Sequence, residues 1–187
     1  MLSTLACGLL LLKTEREPVL MSMQCQDTWL DRTHSDQNFG RDTSLSVGPD
    51  AATLIRFPLV DQTWGSNLKV NGASLTLRVL DKSTPRNLVV SDPGEAWGEG
   101  GALGIETDKD GKPVPASNGW ATYRAARKGA AQWLTDIGAS QEPIKGVTVV
   151  VNGDSLTING LGPLVQSWIN DPTKNHGLLL TSSEPLV

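Results

Sequence analysis

The stretch Gly72–Leu80, "GASLTLRVL", alternates apolar and polar side chains from Ala73 to Val79. Leu75, Leu77 and Val79 fall on one side, and the residues between them fall on the other. Successive side chains of a β-strand point to opposite faces, so this period of two indicates a strand with one buried face. The stretch therefore predicts a β-strand and supplies the pattern to compare with the rest of the chain.

Short runs of similar character lie on both sides of this strand, with clusters of Gly, Pro, Asn and Asp between them. The runs are Thr28–Leu30, Ser44–Val47, "AATLIRFPLV" from Ala51, "NLVVS" from Asn87, "VTVVV" from Val147, "SLTI" from Ser155 and "GLLLTS" from Gly177. Short strands at regular intervals separated by turn residues are typical of β-sandwiches and barrels. The chain is therefore predicted to be all-β.

One helix is predicted near the C-terminus, in "GLGPLVQSWIN" from Gly160 to Asn170. Its apolar residues recur at i, i+3, i+4 and i+7, and they are Leu161, Leu164, Val165 and Trp168. Pro163 lies near the start of the run, where a helix tolerates proline. We expect a short amphipathic helix that closes the end of the sandwich, with Trp168 buried beside Leu164 and Val165.

Two segments in the middle of the chain are less regular. Residues 94–119 are rich in Gly, Pro and Asp and indicate a long excursion, either functional or a plain surface loop. The run Ala121–Trp133, "ATYRAARKGAAQW", is rich in alanine, which favours a helix. Its Gly129 and the flanking tryptophans are equally compatible with a loop that crosses the core, so both interpretations stay open.

Composition excludes several classes of function. The 187 residues carry a net charge of −4 and no basic block, so nothing indicates binding to nucleic acid or to an anionic membrane. No apolar stretch is long enough to span a bilayer. Cys7 and Cys25 are too few for a disulfide framework or a zinc site. We expect two free or incidentally paired thiols, no metal and no cofactor.

Residues 1–24 differ from the rest and are treated as an N-terminal apolar arm, with the domain at residues 25–187. The arm begins "MLSTLACGLLLL" and continues into the charged "KTEREP". It lacks the basic start of a signal peptide, and Cys7 lies too early for a usual lipoprotein signal. We expect an uncleaved arm whose leucines contact another chain, either a neighbouring copy or a capsid shell. The alternative is that they fold back on their own sandwich. The leucines are Leu5, Leu9, Leu10, Leu11 and Leu12.

A series of short motifs appears in a fixed order along the chain. They are Asp27-Thr28-Trp29, Asn38-Phe39-Gly40, Leu45-Ser46-Val47-Gly48, Arg56-Phe57-x-Leu59, Val70-x-x-Ala73-x-Leu75-x-Leu77, Ala96-Trp97-Gly98-Glu99-Gly100, Leu164-Val165-Gln166-x-Trp168 and Asn175-His176-Gly177-Leu178-x-Leu180. From Asp27 to Ser183 this order resembles the DNRLRE domain family. The chain departs from the family at Pro58, where Asp is usual, and at His176, where Tyr is usual. The resemblance implies a jelly-roll β-sandwich whose relatives bind polysaccharides.

Two of these motifs, Asn38-Phe39-Gly40 and Asn175-His176-Gly177, each lie just before a predicted strand. Glycine permits the positive φ of a tight turn, and asparagine can hydrogen-bond to nearby backbone there. We interpret both as structural corners. The polar loop from Thr33 to Gln37 is then expected to face solvent.

The candidates for catalysis and for metal binding are weak. His34 has Asp31, Ser35 and Asp36 nearby, but a polar loop offers such neighbours by chance, and His176 lies in a corner motif. We therefore expect no enzymatic activity and no catalytic residue. The run Asp108–Lys112, "DKDGK", begins like a calcium loop but lacks the later acceptors and the closing Glu, so an ordinary turn is expected.

Aromatic side chains offer one possible binding surface. Sugars stack on exposed aromatic rings, whereas Trp29 and Trp168 fall in core periodicity. Trp64, Trp97 and Trp120 are the tryptophans that could form an exposed glycan platform.

Two functional hypotheses follow. The first is a non-enzymatic structural protein on a virion surface, which decorates or cements a capsid and is anchored by its N-terminal arm. The second is a carbohydrate-binding module of a secreted or cell-surface protein. Self-association or docking that depends on residues 1–24 would favour the first. Saturable glycan binding that is lost with Trp97 or Trp120 would favour the second.

Overall fold

A computed structural model describes residues 2–3, 9–14, 18–22, 25–59, 68–80, 87–133, 137 and 142–183. Its strands are β1 Leu2–Ser3, β2 Leu9–Thr14, β3 Pro18–Ser22, β4 Gln26–Asp31, β5 Ala51–Arg56, β6 Val70–Val79, β7 Leu88–Ser91, β8 Thr148–Asn152, β9 Ser155–Asn159 and β10 Leu178–Ser182. One helix, α1 Gly162–Asn170, is followed by a 3-10 turn at Pro172–Lys174. No helix in these described ranges is long and apolar enough to cross a membrane.

The strands form two antiparallel sheets. The six-stranded sheet has the order β3-β2-β6-β9-β8, and β1 also pairs with β6. The four-stranded sheet has the order β4-β5-β10-β7. The all-β sandwich predicted from the alternating runs is therefore confirmed.

The main core lies between the two sheets and is closed by α1. Leu75, Leu77 and Val79 all point into it, as their alternation in β6 predicts. Trp168 is 2% exposed and Val165 is fully buried, while Leu164 packs against the same core from a partly buried position. The predicted amphipathic helix and its buried stripe are therefore confirmed.

A second core covers the outer face of the four-stranded sheet. That face presents Leu30, Ala52, Leu54 and Leu179. The chain between β7 and β8 covers them with Trp97, Ala121, Ala126 and Ile137. Residues 121–133 form a loop rather than a helix, with an isolated bridge between Arg127 and Ala131. The excursion, a name used from here on for all described residues between β7 and β8, therefore buries these four side chains instead of lying on the surface throughout.

The strand predicted at Ser44–Val47 is wrong. Leu45 and Val47 do enter the main core, at 0% and 2% exposure. The segment forms no strand, however: Leu45 makes a single-residue bridge, and Gly48, just after the segment, makes another to Ala51. The Thr53 hydroxyl donates to the Ser46 carbonyl at 2.8 Å.

The arm pairs with its own chain along the backbone. Leu9–Thr14, as β2, lies between β3 and β6, with Leu10 opposite Leu75 and Leu12 opposite Ala73. The backbone of the arm thus folds back on its own sandwich, which was the alternative prediction. Leu5 and Cys7 lie outside the described residues. Contact between the arm leucines and another chain stays a prediction.

Candidate functional site

The first corner motif joins the loop after β4 to the excursion. Asn38 is fully buried, and its side-chain amide donates to the carbonyls of Glu99 and Ala121, both at 2.8 Å. Its Oδ1 accepts from the backbone N–H of Gly40 at 3.1 Å and of Ala102 at 3.4 Å. One side chain thereby satisfies four backbone groups, so replacing it would leave buried polar atoms unpaired.

The glycine and the aromatic residue at this corner are also constrained. A Cβ on Gly40 would collide with the Glu99 carbonyl oxygen, and one on Gly100, where φ is +85°, would collide with Asn38. Phe39 is buried and stacks on Trp29, with ring centroids 4.0 Å apart. The motif is therefore a structural corner, as its sequence predicts.

The second corner fixes Trp97. Asn175 donates to the Phe57 carbonyl at 2.8 Å, and Trp97 Nε1 donates to the His176 carbonyl at 2.8 Å. The Arg56 guanidinium lies 5.0 Å from the centre of the Trp97 ring, which is 2% exposed. The prediction of Trp97 as an exposed glycan platform is therefore wrong, because the excursion folds its ring onto the sheet.

Two carboxylates lie beside this corner. The backbone N–H of Asp27 donates to Glu99 Oε1 at 3.0 Å, and the Cys25 thiol donates to Asp27 Oδ2 at 3.3 Å. Burial raises the pKa of Asp27, and burial together with the nearby Asp27 charge raises the pKa of Glu99. Both groups therefore hold a proton more readily than an exposed carboxyl does.

An open cleft lies between the loop after β4 and the later part of the excursion. Its volume is about 410 Å³, and its lining comprises Arg32, Ser35, Tyr123, Arg124, Gln132, Trp133 and Ile137. One wall therefore comes from the polar loop that follows β4, and the other comes from the loop Ala121–Trp133. Ligand sites in proteins commonly fall in the range of about 300–1,000 Å³.

The two aromatic rings in the cleft are held by the second core. Tyr123 and Trp133 are half-buried and pack against that core. Trp133 Nε1 donates to the Thr122 carbonyl at 2.9 Å. Thr122 is itself buried, and its hydroxyl accepts from the Ala125 N–H at 3.1 Å. The indole ring is therefore fixed in position at the cleft wall.

The polar groups of the cleft are charged but locally paired. Arg32 lies 3.7 Å from Asp50, and Arg124 lies 3.6 Å from Asp36. All four side chains are exposed, and exposed pairs of this kind hold their partners weakly. Both guanidinium groups can therefore exchange a carboxylate for a hydroxyl or acid group of a ligand.

The loop that carries Arg32 is stiffened by its own side chains. Asp31 accepts from the Thr33 hydroxyl at 2.6 Å and lies 2.7 Å from His34 Nδ1. Partial burial alone would raise the pKa of Asp31, but hydrogen bonds from Thr33 and His34 outweigh it and lower the pKa. The loop does not face solvent throughout, since Gln37 is 6% exposed. The absence of catalysis at His34 stays a prediction.

The other residues singled out from the sequence do not line the cleft. Trp120 is half-buried against Gly101, and Trp64 lies outside the described residues. Asp108 Oδ1 accepts from the N–H groups of Asp110 and Lys112 at 2.8 and 2.9 Å, which makes a compact turn. Within the described ranges, no three His, Cys, Asp or Glu side chains lie together as metal ligands.

Sequence reasoning missed Tyr123 and Trp133 as site residues. The available signal was two aromatic residues in one loop with Arg124 and Gln132 between them. The opposite wall, with Arg32 and Ser35, comes from a distant part of the chain, so no local pattern joins the two halves.

No family model, no curated protein and no solved structure matches this chain. The resemblance to the DNRLRE domain family stays a prediction.

Proposed function

We propose that this protein is a non-enzymatic module that binds a polysaccharide chain in the cleft between the loop after β4 and the loop Ala121–Trp133. One observation carries the proposal: Tyr123 and Trp133 line an open cleft together with Arg32, Arg124 and Gln132. The site is distinct from the tryptophan platform predicted from the sequence, although the class of ligand is the same.

The chemistry of the cleft suits a sugar ring. A pyranose has an apolar C–H face that packs on an aromatic ring, and hydroxyl groups at its edge that need hydrogen-bond partners. Gln132 and Ser35 can donate and accept, while the two arginines supply donors only. Because Trp133 is already held by its bond to Thr122, little side-chain entropy is lost on binding.

The test is electrophoresis in native gels that contain neutral or uronate-rich soluble polysaccharides. At least one polysaccharide should retard the wild-type protein, and Trp133→Ala should abolish the retardation. Trp120→Ala is the matched control, because Trp120 is also a half-buried loop tryptophan but does not line the cleft. Arg124→Ala tests the site without touching the second core, since Arg124 is exposed.

Two results would contradict the proposal. One is that no polysaccharide in the panel retards the wild-type protein. The other is that Trp133→Ala and Arg124→Ala, both folded by circular dichroism, bind as the wild type does. Retardation lost only in Trp120→Ala would place the site elsewhere on the surface.

A second candidate is a structural role on a virion surface as a capsid decoration protein. It is supported by the leucine-rich arm, in which β2 and β3 form one edge of the six-stranded sheet. Strands of this kind can be exchanged between copies or added to a neighbour, which is a common way to lock assemblies. Deletion of residues 1–17 separates the possibilities. A folded product that no longer self-associates or docks supports this role, and an unfolded product assigns the arm to its own sandwich.

A further inference from the structure

Strand β8 forms an edge of the six-stranded sheet that nothing described in the structure covers. Within the described ranges it pairs only with β9. Its sequence, Thr-Val-Val-Val-Asn, contains no charge and no proline. Natural edge strands usually carry charged residues or proline, which prevent pairing with another chain. The strand is therefore chemically suited to accept a further strand.

The edges of the four-stranded sheet are protected differently. Along β7, the N–H of Ile144 donates to the Val90 carbonyl at 2.9 Å, and Pro143 forms a bridge to Ser91. Along β4, the Asp27 N–H is bound by the Glu99 carboxylate at 3.0 Å. Side chains and short segments of this chain thus bond some of the groups at those edges, whereas no residue in the described ranges bonds the outward backbone groups of β8.

Valine side chains lie on both faces of β8. On the outer face Val150 is 53% exposed and lies between Thr148 and Asn152. Val149 and Val151 point the other way and line a groove of about 390 Å³ between β8 and β7. Leu88 and Val90 line the same groove from the β7 side. A strand added at this edge would continue the sheet and cover the mouth of the groove.

We propose that β8 pairs antiparallel with β8 of a second copy of this chain, about a two-fold axis at Val150. In this register Val150 of each copy lies opposite the other, and Val149 lies opposite Val151. Cross-strand pairs of β-branched side chains on one face stabilise antiparallel sheets. The strand is thus complementary to itself, as a two-fold interface requires.

The charges at the ends of β8 favour the same arrangement. Lys145 precedes the strand and Asp154 follows it, and both are exposed. An antiparallel partner brings the lysine end of one copy to the aspartate end of the other, twice in each dimer. A parallel partner would bring like charges together. Asp154 also lies 3.5 Å from Arg78, but that pair is exposed and leaves the carboxylate accessible.

The first experiment is analytical ultracentrifugation over a concentration series that reaches roughly 1 mM, since a five-residue edge makes a small and weak interface. The wild-type protein should shift from monomer to dimer. Val150→Lys should stay monomeric, because the axis places the two lysines directly opposite each other. Leu103→Lys is the matched control: Leu103 is 58% exposed on the excursion, so its variant should dimerise like the wild type.

A charge exchange tests the orientation. Lys145→Glu should raise the dissociation constant roughly fivefold, given two exposed ion pairs per dimer. Adding Asp154→Lys in the same chain should restore it, because opposite charges then face each other again. A parallel or unrelated interface would show no such restoration.

Covalent trapping decides the case where Val150→Lys does not fold. Val150→Cys should form a dimer under mild oxidation, with a disulfide joining residue 150 of both copies by mass spectrometry, and Leu103→Cys should not. A wild-type protein that is monomeric throughout the series would overturn the proposal. A folded Val150→Lys variant that still dimerises would also overturn it. So would a wild-type protein that binds added extended peptides but does not bind a second copy of itself.

Discussion

The outer faces of the two sheets are built from similar strands but meet different surroundings. On the four-stranded sheet, Leu54 and Leu179 are fully buried beneath the excursion. On the six-stranded sheet, Thr76, Arg78 and Val150 are exposed. The residues of β5 are accordingly buried on both faces, whereas those of β8 alternate. The period of a strand shows which of its faces is buried in the core between the sheets. Whether the other face is also buried depends on segments elsewhere in the sequence that fold over it.

The two cores also differ in the kind of chain that closes them. The main core is closed by regular strands and by α1, whereas the second core depends on irregular chain fixed at a few points. Asn38 and the Trp97 indole are two of these points, because each bonds backbone far away in sequence. The variants below measure whether the second core contributes as much to the free energy of unfolding as the main core does.

The largest expected effect is in the main core, at Trp168. Trp168→Ala should lower the free energy of unfolding by about 3–5 kcal/mol, measured by urea denaturation, because it empties a large buried volume. The indole Nε1 is buried and has no hydrogen-bond partner among the described residues. Trp168→Phe should therefore cost much less, since it keeps a ring and removes the unpaired donor. Equal costs for both variants would contradict this account.

The next effect compares the two cores at adjacent positions. Leu179 belongs to the second core and Leu180 to the main core, and both are fully buried. Leu179→Ala and Leu180→Ala should each cost about 2–5 kcal/mol. On the exposed outer face, Val150→Ala should stay within about 0.5 kcal/mol when measured on the monomer. A cost for Leu179→Ala close to that of Val150→Ala would show that the excursion is not a true core.

An effect no larger than that of the leucine variants is expected at Gly100, which packs against the corner that holds the excursion. Gly100 and Gly111 both have positive φ, at +85° and +75°, but only at Gly100 would a Cβ meet a neighbour. Gly111→Ala should cost about 1–2 kcal/mol from the backbone alone. Gly100→Ala should cost about 1–3 kcal/mol more, because Asn38 must move. Equal melting temperatures for the two variants would mean that the contact between Asn38 and Gly100 does not stabilise the excursion.

The smallest effect is a pH dependence of opposite sign at two carboxylates, Glu99 in the excursion and Asp31 at the end of β4. The raised pKa of Glu99 means that folding disfavours its charged form, so its contribution to stability falls as pH rises above the ordinary value of 4.5. The lowered pKa of Asp31 contributes stability above 3.8, which is lost as pH falls through the lower folded pKa. At neutral pH, Glu99→Gln should raise the melting temperature slightly and Asp31→Asn should lower it. Shifts of the same sign in both variants would refute the assignment.

Much of the fold could be predicted from local sequence. The alternation in β6 and the helical spacing that ends at Trp168 identified residues whose burial the structure shows. The strand predicted at Ser44–Val47 was wrong: the period of two identified the buried residues Leu45 and Val47, but the segment makes only a single-residue bridge, at Leu45. Trp97 was predicted to be exposed because, unlike Trp29 and Trp168, it does not fall in a core periodicity. The signal against that interpretation was apolar residues on both faces of β5, which require a cover.

The cleft was beyond local sequence reasoning. Its two walls meet only after the excursion folds over the sheet. No sequence spacing therefore indicates that Arg32 and Trp133 line the same cleft. The family resemblance implies a polysaccharide as the type of ligand, and this stays a prediction. It does not indicate the residues that line the cleft.

The position of β10 has a consequence for how the protein is made. β10 is the latest strand described, yet it lies between β5 and β7 at the centre of its sheet. On a ribosome, β4 and β5 can pair early, but β7 gains its strand partner only when Leu179–Ser182 emerge. Leu179, a fully buried residue of the second core, emerges at the same moment. The nascent chain therefore lacks the strand that joins β5 to β7 until β10 emerges, and chaperone binding would be most useful before that point.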